Sequence, residues 1–168
     1  HNLLDRKTEC YQTRNNLWNH QIAAGGHLIS GVIEAALEKV KNNYKLALTT
    51  SNTGEKFDRM SNDTDIKKFF EFFLFREDCK AIKPDPDIYL QALEKSGIST
   101  DQAIVIEDTP RGVMAAKNAG IKVVAIPNDM TKDLDLSMAD YKLNSITELP
   151  NLLEKIEKEV LKNRNKSF

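Results

Sequence analysis

Two adjacent carboxylates follow a short apolar run in the second half of the chain. Residues 104–106 are Ile-Val-Ile, and Glu107 and Asp108 come directly after them. Two carboxylates at the end of a buried strand are costly without a partner cation. Mg²⁺ commonly takes one or two carboxylates together with waters and phosphate oxygens. The pair therefore indicates a Mg²⁺ site, and the alternative is that Asp108 or Thr109 caps the next helix.

A lysine lies in a loop that two prolines stiffen. Lys83 is followed by Pro84 and Pro86, and the fixed φ of each proline limits the conformations of the loop. An ammonium group that is held at one point suits the neutralisation of a phosphate or of an attacking carboxylate. Taken by itself, Lys83 is better explained as a solvated surface lysine, because that is what a lone lysine usually is.

Hydroxyl side chains follow an earlier apolar run. Residues 46–48 are Leu-Ala-Leu, and Thr50, Ser51 and Asn52 come soon after them. Hydroxyls and free backbone N–H groups at such a turn can hold a phosphate oxygen. The competing interpretation is that Thr50 and Ser51 cap the next helix.

The elements that must position these residues alternate along the chain from residue 30 onward. The pattern predicts helices over 31–41, 86–96, 110–118 and 152–161, and strands over 46–50, 103–106 and 122–126. Residues 69–75 hold five of the seven phenylalanines, and the end of this segment, Phe73-Leu74-Phe75, is predicted to be a strand or a packed helix end. Alternating apolar strands and helices predict a parallel sheet covered on both faces. Ligands bind such sheets at the carboxyl ends of the strands, where Thr50 and Asp108 would lie.

Composition excludes several classes of protein. A chain of 168 residues is one domain, or one domain and a fragment, at about 100–200 residues per domain. Lys and Arg number 24 against 25 Asp and Glu, which disfavours nucleic-acid and membrane-surface partners. No apolar run approaches the roughly 18 residues of a membrane span, and no signal peptide opens the chain. Cys10 and Cys79 lack disulfide or metal-site spacing and predict reduced thiols in a cytoplasmic protein.

The three polar segments together resemble motifs of the haloacid dehalogenase (HAD) superfamily. Thr50-Ser51, residues 83–89 (KPDPDIY) and residues 107–120 (EDTPRGVMAAKNAG) are similar to its second, third and fourth motifs. The nearest likeness is to the β-phosphoglucomutase-like group, which includes the xylulose-bisphosphate phosphatases. The resemblance implies an α/β fold, with a Rossmann-like core of parallel sheet flanked by helices over 30–168 and a remnant of a helical cap over 1–29.

The resemblance also implies a role for each matching residue. Thr50 would hydrogen-bond the transferring phosphoryl oxygen, and Lys83 would orient the nucleophile and offset the phosphoryl charge. Asp108, supported by Glu107, would hold Mg²⁺. The residues that would approach the substrate are Ser51, Asn52, Arg6 and Lys7.

The family's first motif, Asp-x-Asp at the end of the central strand, follows none of the apolar runs. Residues 63–65 and 133–135 have these letters but lie in polar segments, and residues 85–87 belong to the lysine motif. The first Asp of that motif is the nucleophile and the second is the general acid/base. We therefore expect the central strand to lie before His1, and the 168 residues alone to be inactive.

The function implied by the resemblance is a Mg²⁺-dependent phosphatase that acts on a small phosphorylated metabolite, a sugar phosphate above all. A sugar phosphomutase of the same group and a catalytically inactive HAD-like binding module are the alternatives. The residues that separate phosphatase from mutase lie mainly in the part of the cap expected upstream. The oligomeric state stays open, a monomer included.

Overall fold

The computed structural model describes residues 33–164. The strands are β1 (Ala47–Thr49), β2 (Phe72–Leu74), β3 (Ile104–Glu107), β4 (Lys122–Ala125) and β5 (Tyr141–Lys142). The helices are α1 (33–40), α2 (Gly54–Ser61), α3 (Asp87–Ser96), α4 (Pro110–Asn118) and α5 (Leu149–Arg164). The predicted alternation of helices and strands is confirmed over this range, and residues 72–74 of the phenylalanine-rich segment form a strand. The proposed cap remnant over 1–29, with Arg6, Lys7 and Cys10, lies outside the described residues.

The strands form two parallel sheets. β1 pairs with β2, so that Leu48 lies opposite Phe73. The second sheet has the order β3-β4-β5, and Val105 lies opposite Val123 in it. Within residues 33–164, no strand pairs with the second edge of β1 or of β3. The parallel sheet predicted from the sequence is therefore present as two pieces.

Burial differs between two neighbouring strands of similar composition. Val123, Val124 and Ala125 of β4 are fully buried, whereas Ile106 of β3 is 38% exposed. β4 has a strand on each side, but β3 has a neighbour on one side only. The sequence predicted an apolar strand at both places, and Ile106 is exposed because one edge of β3 is open in the part of the chain described.

Helix α4 lies close against the sheet because its inner face carries small side chains. Ala115 and Ala116 are fully buried there, and Val113 packs with them in a core that includes Ile88 of α3 and Val123 of β4. A second cluster joins α1 to α5 through Leu37, Val40, Phe69, Leu149 and Leu153. Among the helices described, none is long and apolar enough to cross a membrane.

Helix ends follow the sequence signals with small shifts. Gly97 ends α3 in the left-handed conformation with φ of 66°, as a C-terminal glycine does. Pro86 is the N-cap residue of α3 instead of its first residue, but the Asp85 carboxylate still accepts from the Asp87 amide at 3.0 Å. Helix α5 begins at Leu149, three residues earlier than predicted, because the first turn of a helix tolerates a proline such as Pro150.

Candidate functional site

A buried ion pair lies at the carboxyl end of β3. The Lys83 ammonium group contacts Oε1 of Glu107, the last residue of that strand. The two side chains are only 10% and 8% exposed. Lys83 is therefore not a solvated surface lysine.

Tyr89 joins this ion pair from the first turn of α3. Its ring is 3% exposed. Its hydroxyl accepts from Lys83 Nζ at 2.9 Å and donates to Glu107 Oε1 at 2.7 Å. The sequence motifs included Tyr89 only as the last residue of the segment 83–89 and missed this role. The signal that could have found it is the general need of a buried tyrosine hydroxyl for a polar partner.

The second oxygen of Glu107 is held by the start of α4. Thr109 Oγ1 donates to Glu107 Oε2 at 3.2 Å and also accepts from the Gly112 amide at 3.1 Å, which makes it the N-cap of the helix. A Cβ atom on Gly112 would lie 2.0 Å from the Glu107 carboxyl carbon. Glycine is therefore required for helix and carboxylate to approach so closely. The capping role belongs to Thr109 and not to Asp108.

Asp108 points to a different partner. Asn128 Nδ2 donates to its Oδ2 at 2.8 Å. The Asn128 side chain is itself fixed, because its Oδ1 accepts from the Met130 amide at 2.9 Å. Burial, and then the negative charge of Glu107, raise the pKa of Asp108. A cation at this position would relieve both effects.

The pKa shifts of Glu107 and Tyr89 fix the direction of their hydrogen bond. Burial alone would raise the pKa of Glu107, but the charge of Lys83 and the hydrogen bonds from Lys83 and Tyr89 outweigh it and hold that pKa below its usual value. Burial and the Glu107 charge raise the pKa of Tyr89. At neutral pH the glutamate is thus the charged acceptor and the tyrosine is the neutral donor.

Side chains of α4 hold the loop that carries Lys83. The Arg111 guanidinium donates to the Lys83 carbonyl, with Nε at 2.9 Å. Asn118 Nδ2 donates to the Pro84 carbonyl at 3.0 Å. The sequence assigned the rigidity of this loop to its prolines, and the structure adds two hydrogen bonds from a neighbouring helix.

Thr50 follows β1 and is held by a local turn. Its Oγ1 accepts from the Asn52 amide at 3.1 Å, and Thr53 caps α2, so Thr50 and Ser51 are not the capping residues. Ser51 is exposed and Asn52 is half-buried. The side chain of the preceding residue, Thr49, lies close enough to the Tyr89 hydroxyl to act on its pKa, which it lowers against the larger effects of burial and Glu107. The end of β1 therefore reaches the cluster of polar groups at the end of β3.

The donor set fits Mg²⁺ only in part. Asp108 supplies a desolvated carboxylate, whereas both oxygens of Glu107 already have protein partners. No group of three or more His, Cys, Asp or Glu side chains suited to a metal ion occurs within residues 33–164. Mg²⁺ is usually bound by one or two carboxylates and completes its six ligands with waters and phosphate oxygens. A site with Asp108 as its main protein ligand is compatible with this coordination.

The chain also matches a known protein family. The model of the haloacid dehalogenase-like hydrolase family matches residues 3–126. The chain belongs to this family. The resemblance inferred from residues 50–51, 83–89 and 107–120 is thereby confirmed, and so is the Rossmann-like α/β fold that it implied.

Three similar proteins show how much of the chain is shared with individual relatives. A phosphorylated carbohydrates phosphatase of Thermotoga maritima is 40% identical over 91 residues, which are 54% of this chain and 42% of that protein. The crystal structure of a T. maritima protein provisionally assigned as a β-phosphoglucomutase has a TM-score of 0.67 and 32% identity, over 74% of this chain and 59% of that one. A variant of CbbY from Rhodobacter sphaeroides in complex with xylulose-1,5-bisphosphate has a TM-score of 0.64 and 25% identity, over 70% and 54%. The chain spans about half the length of the curated relatives it matches.

Proposed function

We propose that this chain forms the core of a Mg²⁺-dependent phosphatase that acts on a small phosphorylated carbohydrate. The observation that carries the proposal is the buried Lys83–Glu107 pair beside Asp108, because it combines a fixed cation with a desolvated carboxylate at the carboxyl end of β3. The substrate class is supported by the phosphorylated carbohydrates phosphatase that is 40% identical over 91 residues.

Each residue has a role in the proposed reaction. The Lys83 ammonium offsets charge on the phosphoryl oxygens, which is worth most in a site shielded from water. The Thr50 hydroxyl donates to one of those oxygens, and Ser51 and Asn52 lie on the same turn. Asp108 holds Mg²⁺, with Glu107 in support, and the bound cation supplies further stabilisation of phosphoryl charge.

The nucleophile belongs to a strand outside the described residues, which we place between the open edges of β1 and β3. Its aspartate carboxylate attacks phosphorus, and the sugar oxygen leaves with a proton from the second aspartate of the motif. Water then gives a proton to the second aspartate and attacks the phosphorus of the acyl phosphate, which releases inorganic phosphate and restores both carboxyl groups to their starting states. A parallel strand there would pair both edges and bury Ile106, which is 38% exposed.

A sugar phosphomutase is the second candidate, because a protein assigned as a β-phosphoglucomutase is 32% identical to this chain. The mutase transfers the phosphoryl group back to the sugar and releases no inorganic phosphate. The product therefore separates the two reactions.

The test is an assay of the full-length protein with Mg²⁺ against a panel of sugar monophosphates and bisphosphates, including xylulose-1,5-bisphosphate. We expect stoichiometric release of inorganic phosphate from at least one compound, and its loss when EDTA is added. Isomerised sugar phosphate without free phosphate would support the mutase. Absence of both products across the panel would overturn both candidates and favour a binding module.

A further inference from the structure

The Tyr89 hydroxyl has no part in the roles assigned so far, yet it lies at the centre of the site. We propose that Tyr89 is a positioning residue that acts through Lys83, because its hydroxyl fixes the ammonium and the Glu107 carboxylate in one arrangement. This inference rests on the proposed phosphatase function, and it concerns a residue to which neither the sequence motifs nor the relatives' names assign a role.

The Lys83 ammonium has few hydrogen-bond donors, and most of them are already used. An ammonium group has three N–H donors and no acceptor. One is directed to Glu107 Oε1 and one to the Tyr89 hydroxyl, at 2.9 Å. One donor is left for a phosphoryl oxygen. Two anchors define the position of the nitrogen and the direction of its third N–H, whereas one anchor would leave the group free to rotate.

A lysine needs such anchoring more than an arginine does. Its ammonium is a point charge at the end of a flexible four-carbon chain. Arg111 fixes the backbone carbonyl of Lys83, but this leaves the side-chain torsions undetermined. The Tyr89 hydroxyl acts at the other end of the side chain, where the charge is.

The hydroxyl also connects two parts of the fold. It lies against Glu107 at the end of β3 and against Thr49 at the end of β1. Within residues 33–164 these strands belong to separate sheets. Tyr89 therefore links the lysine to the two strand ends between which the nucleophile is proposed to lie.

The substitution Tyr89→Phe isolates the hydroxyl. The phenyl ring keeps the buried volume and the ring contact with Lys83 Nζ, which lies 4.8 Å from the ring centroid. Tyr44→Phe is the matched control, because the Tyr44 hydroxyl also donates to a glutamate, Glu157, at 3.4 Å but does so at an exposed position on other elements.

The first measurement is steady-state kinetics of the full-length protein on the substrate that the wild type hydrolyses. We expect Tyr89→Phe to lower kcat by about tenfold to a hundredfold while KM changes by less than about twofold, since positioning affects the transition state more than ground-state binding. Tyr44→Phe should change neither constant. An unchanged kcat, or a fall that only matches a loss of folded protein, would overturn the inference.

The second measurement does not depend on activity. The ammonium protons of Lys83, observed by ¹⁵N NMR and assigned with Lys83→Met, should exchange slowly with water in the wild type and at least several-fold faster in Tyr89→Phe. Equal exchange in the two proteins would overturn the positioning role. If the wild type turns over no substrate but the exchange rates differ, the phosphatase proposal fails and the role of Tyr89 in holding Lys83 stands.

Discussion

Helix α4 has a lysine–carboxylate pair beside each of its ends, and the two pairs differ in burial. Lys83 and Glu107, near the first turn, are 10% and 8% exposed, whereas Lys117 and Asp140, near the last turn, are 34% and 29% exposed. Glu107 also accepts hydrogen bonds from the hydroxyls of Tyr89 and Thr109, whereas Asp140 accepts one from the Val123 amide at 2.8 Å.

The difference separates a pair suited to chemistry from one suited to structure. A buried pair holds its charges in place, but either charge becomes costly when its partner is removed. A partly exposed pair is screened by water, so that each partner can be lost at little cost. The Lys117–Asp140 pair thus joins α4 to the amino end of β4, and the Lys83–Glu107 pair presents a fixed cation at the carboxyl end of β3.

Removal of the lysine from each pair should give the largest difference in stability and activity between the two pairs. Lys83→Ala should destabilise the protein by about 3–5 kcal/mol at neutral pH, since Glu107 is left buried without a cation. It should also lower kcat by orders of magnitude. Lys117→Ala should cost about 1 kcal/mol or less and leave kcat unchanged. Urea unfolding and kinetics of both variants measure the difference, and equal stability losses would mean that burial does not distinguish the pairs.

The loss of stability caused by Lys83→Ala should depend on pH, because Glu107 is a titratable group. In the wild type, the pKa of Glu107 is lowered from 4.5. The charged carboxylate therefore stabilises the fold above pH 4.5, and this stabilisation is lost as the pH falls through the lowered pKa. In the variant, burial without Lys83 raises the pKa of Glu107, and the folded state is penalised increasingly as pH rises above 4.5. The deficit should therefore be small in acid and largest at neutral pH.

Asp108→Asn should separate activity from stability. We expect the Mg²⁺-dependent rate to fall by about a thousandfold, because several kcal/mol of charge stabilisation are lost. The unfolding temperature should hold or rise, since the raised pKa of Asp108 indicates that its charge is unfavourable in the folded state. Asp140→Asn is the matched control and should keep the full rate. Unchanged turnover in Asp108→Asn would contradict the metal assignment.

Gly112→Ala should disturb the Lys83–Glu107 pair and leave the Lys117–Asp140 pair intact. The new Cβ would lie 2.0 Å from the Glu107 carboxyl carbon, so the carboxylate or the helix must move, at a cost of about 1–3 kcal/mol. Gly54→Ala is the control, because its Cβ would lie 3.2 Å from Glu77 Oε1 and 3.3 Å from the Phe75 ring, so that its neighbours need to move only slightly. Calorimetric melting should place Gly112→Ala well below Gly54→Ala, and equal melting temperatures would refute the close approach.

The smallest effect is expected for the stability of Asp140→Asn. Partial burial would raise the pKa of Asp140, but hydrogen bonds from Lys117 and the Val123 amide outweigh it and lower that pKa from 3.8. The contribution of the carboxylate is therefore present above 3.8 and disappears as pH falls through the lowered value. We expect a loss of about 1 kcal/mol or less at pH 7, which vanishes in acid. A loss above about 2 kcal/mol would show that this pair behaves like the buried one.

Local signals in the sequence were sufficient for most of the fold. The glycine after α3, the Thr109-Pro110 start of α4 and the apolar run 122–126 marked elements that the structure contains within a residue or two. The segment 69–75 was ambiguous because aromatic residues suit a strand and a buried helix equally. Its pairing with β1, which decides the matter, is a contact between distant parts of the chain.

The candidate site was predictable in its charged residues but not in how they are joined. Lys83 and Glu107 were found separately, and the spacing of 24 positions between them carries no sign of a direct contact. Tyr89 was found only as part of the segment 83–89, because a match to a motif does not show which groups the tyrosine hydroxyl contacts. Asn128 lies in a loop whose path to Asp108 depends on tertiary structure.

Within residues 33–164, the open edges of β1 and β3 leave a place for one further strand. If the proposed strand completes the sheet, it would be held by backbone hydrogen bonds along two edges at once, and a short separate peptide would suffice to carry it. Neither piece alone would hold both the nucleophile and Lys83, so phosphate release would begin only when the two pieces meet. Fused to two other proteins, such pieces would act as a split reporter that converts their association into an enzymatic signal.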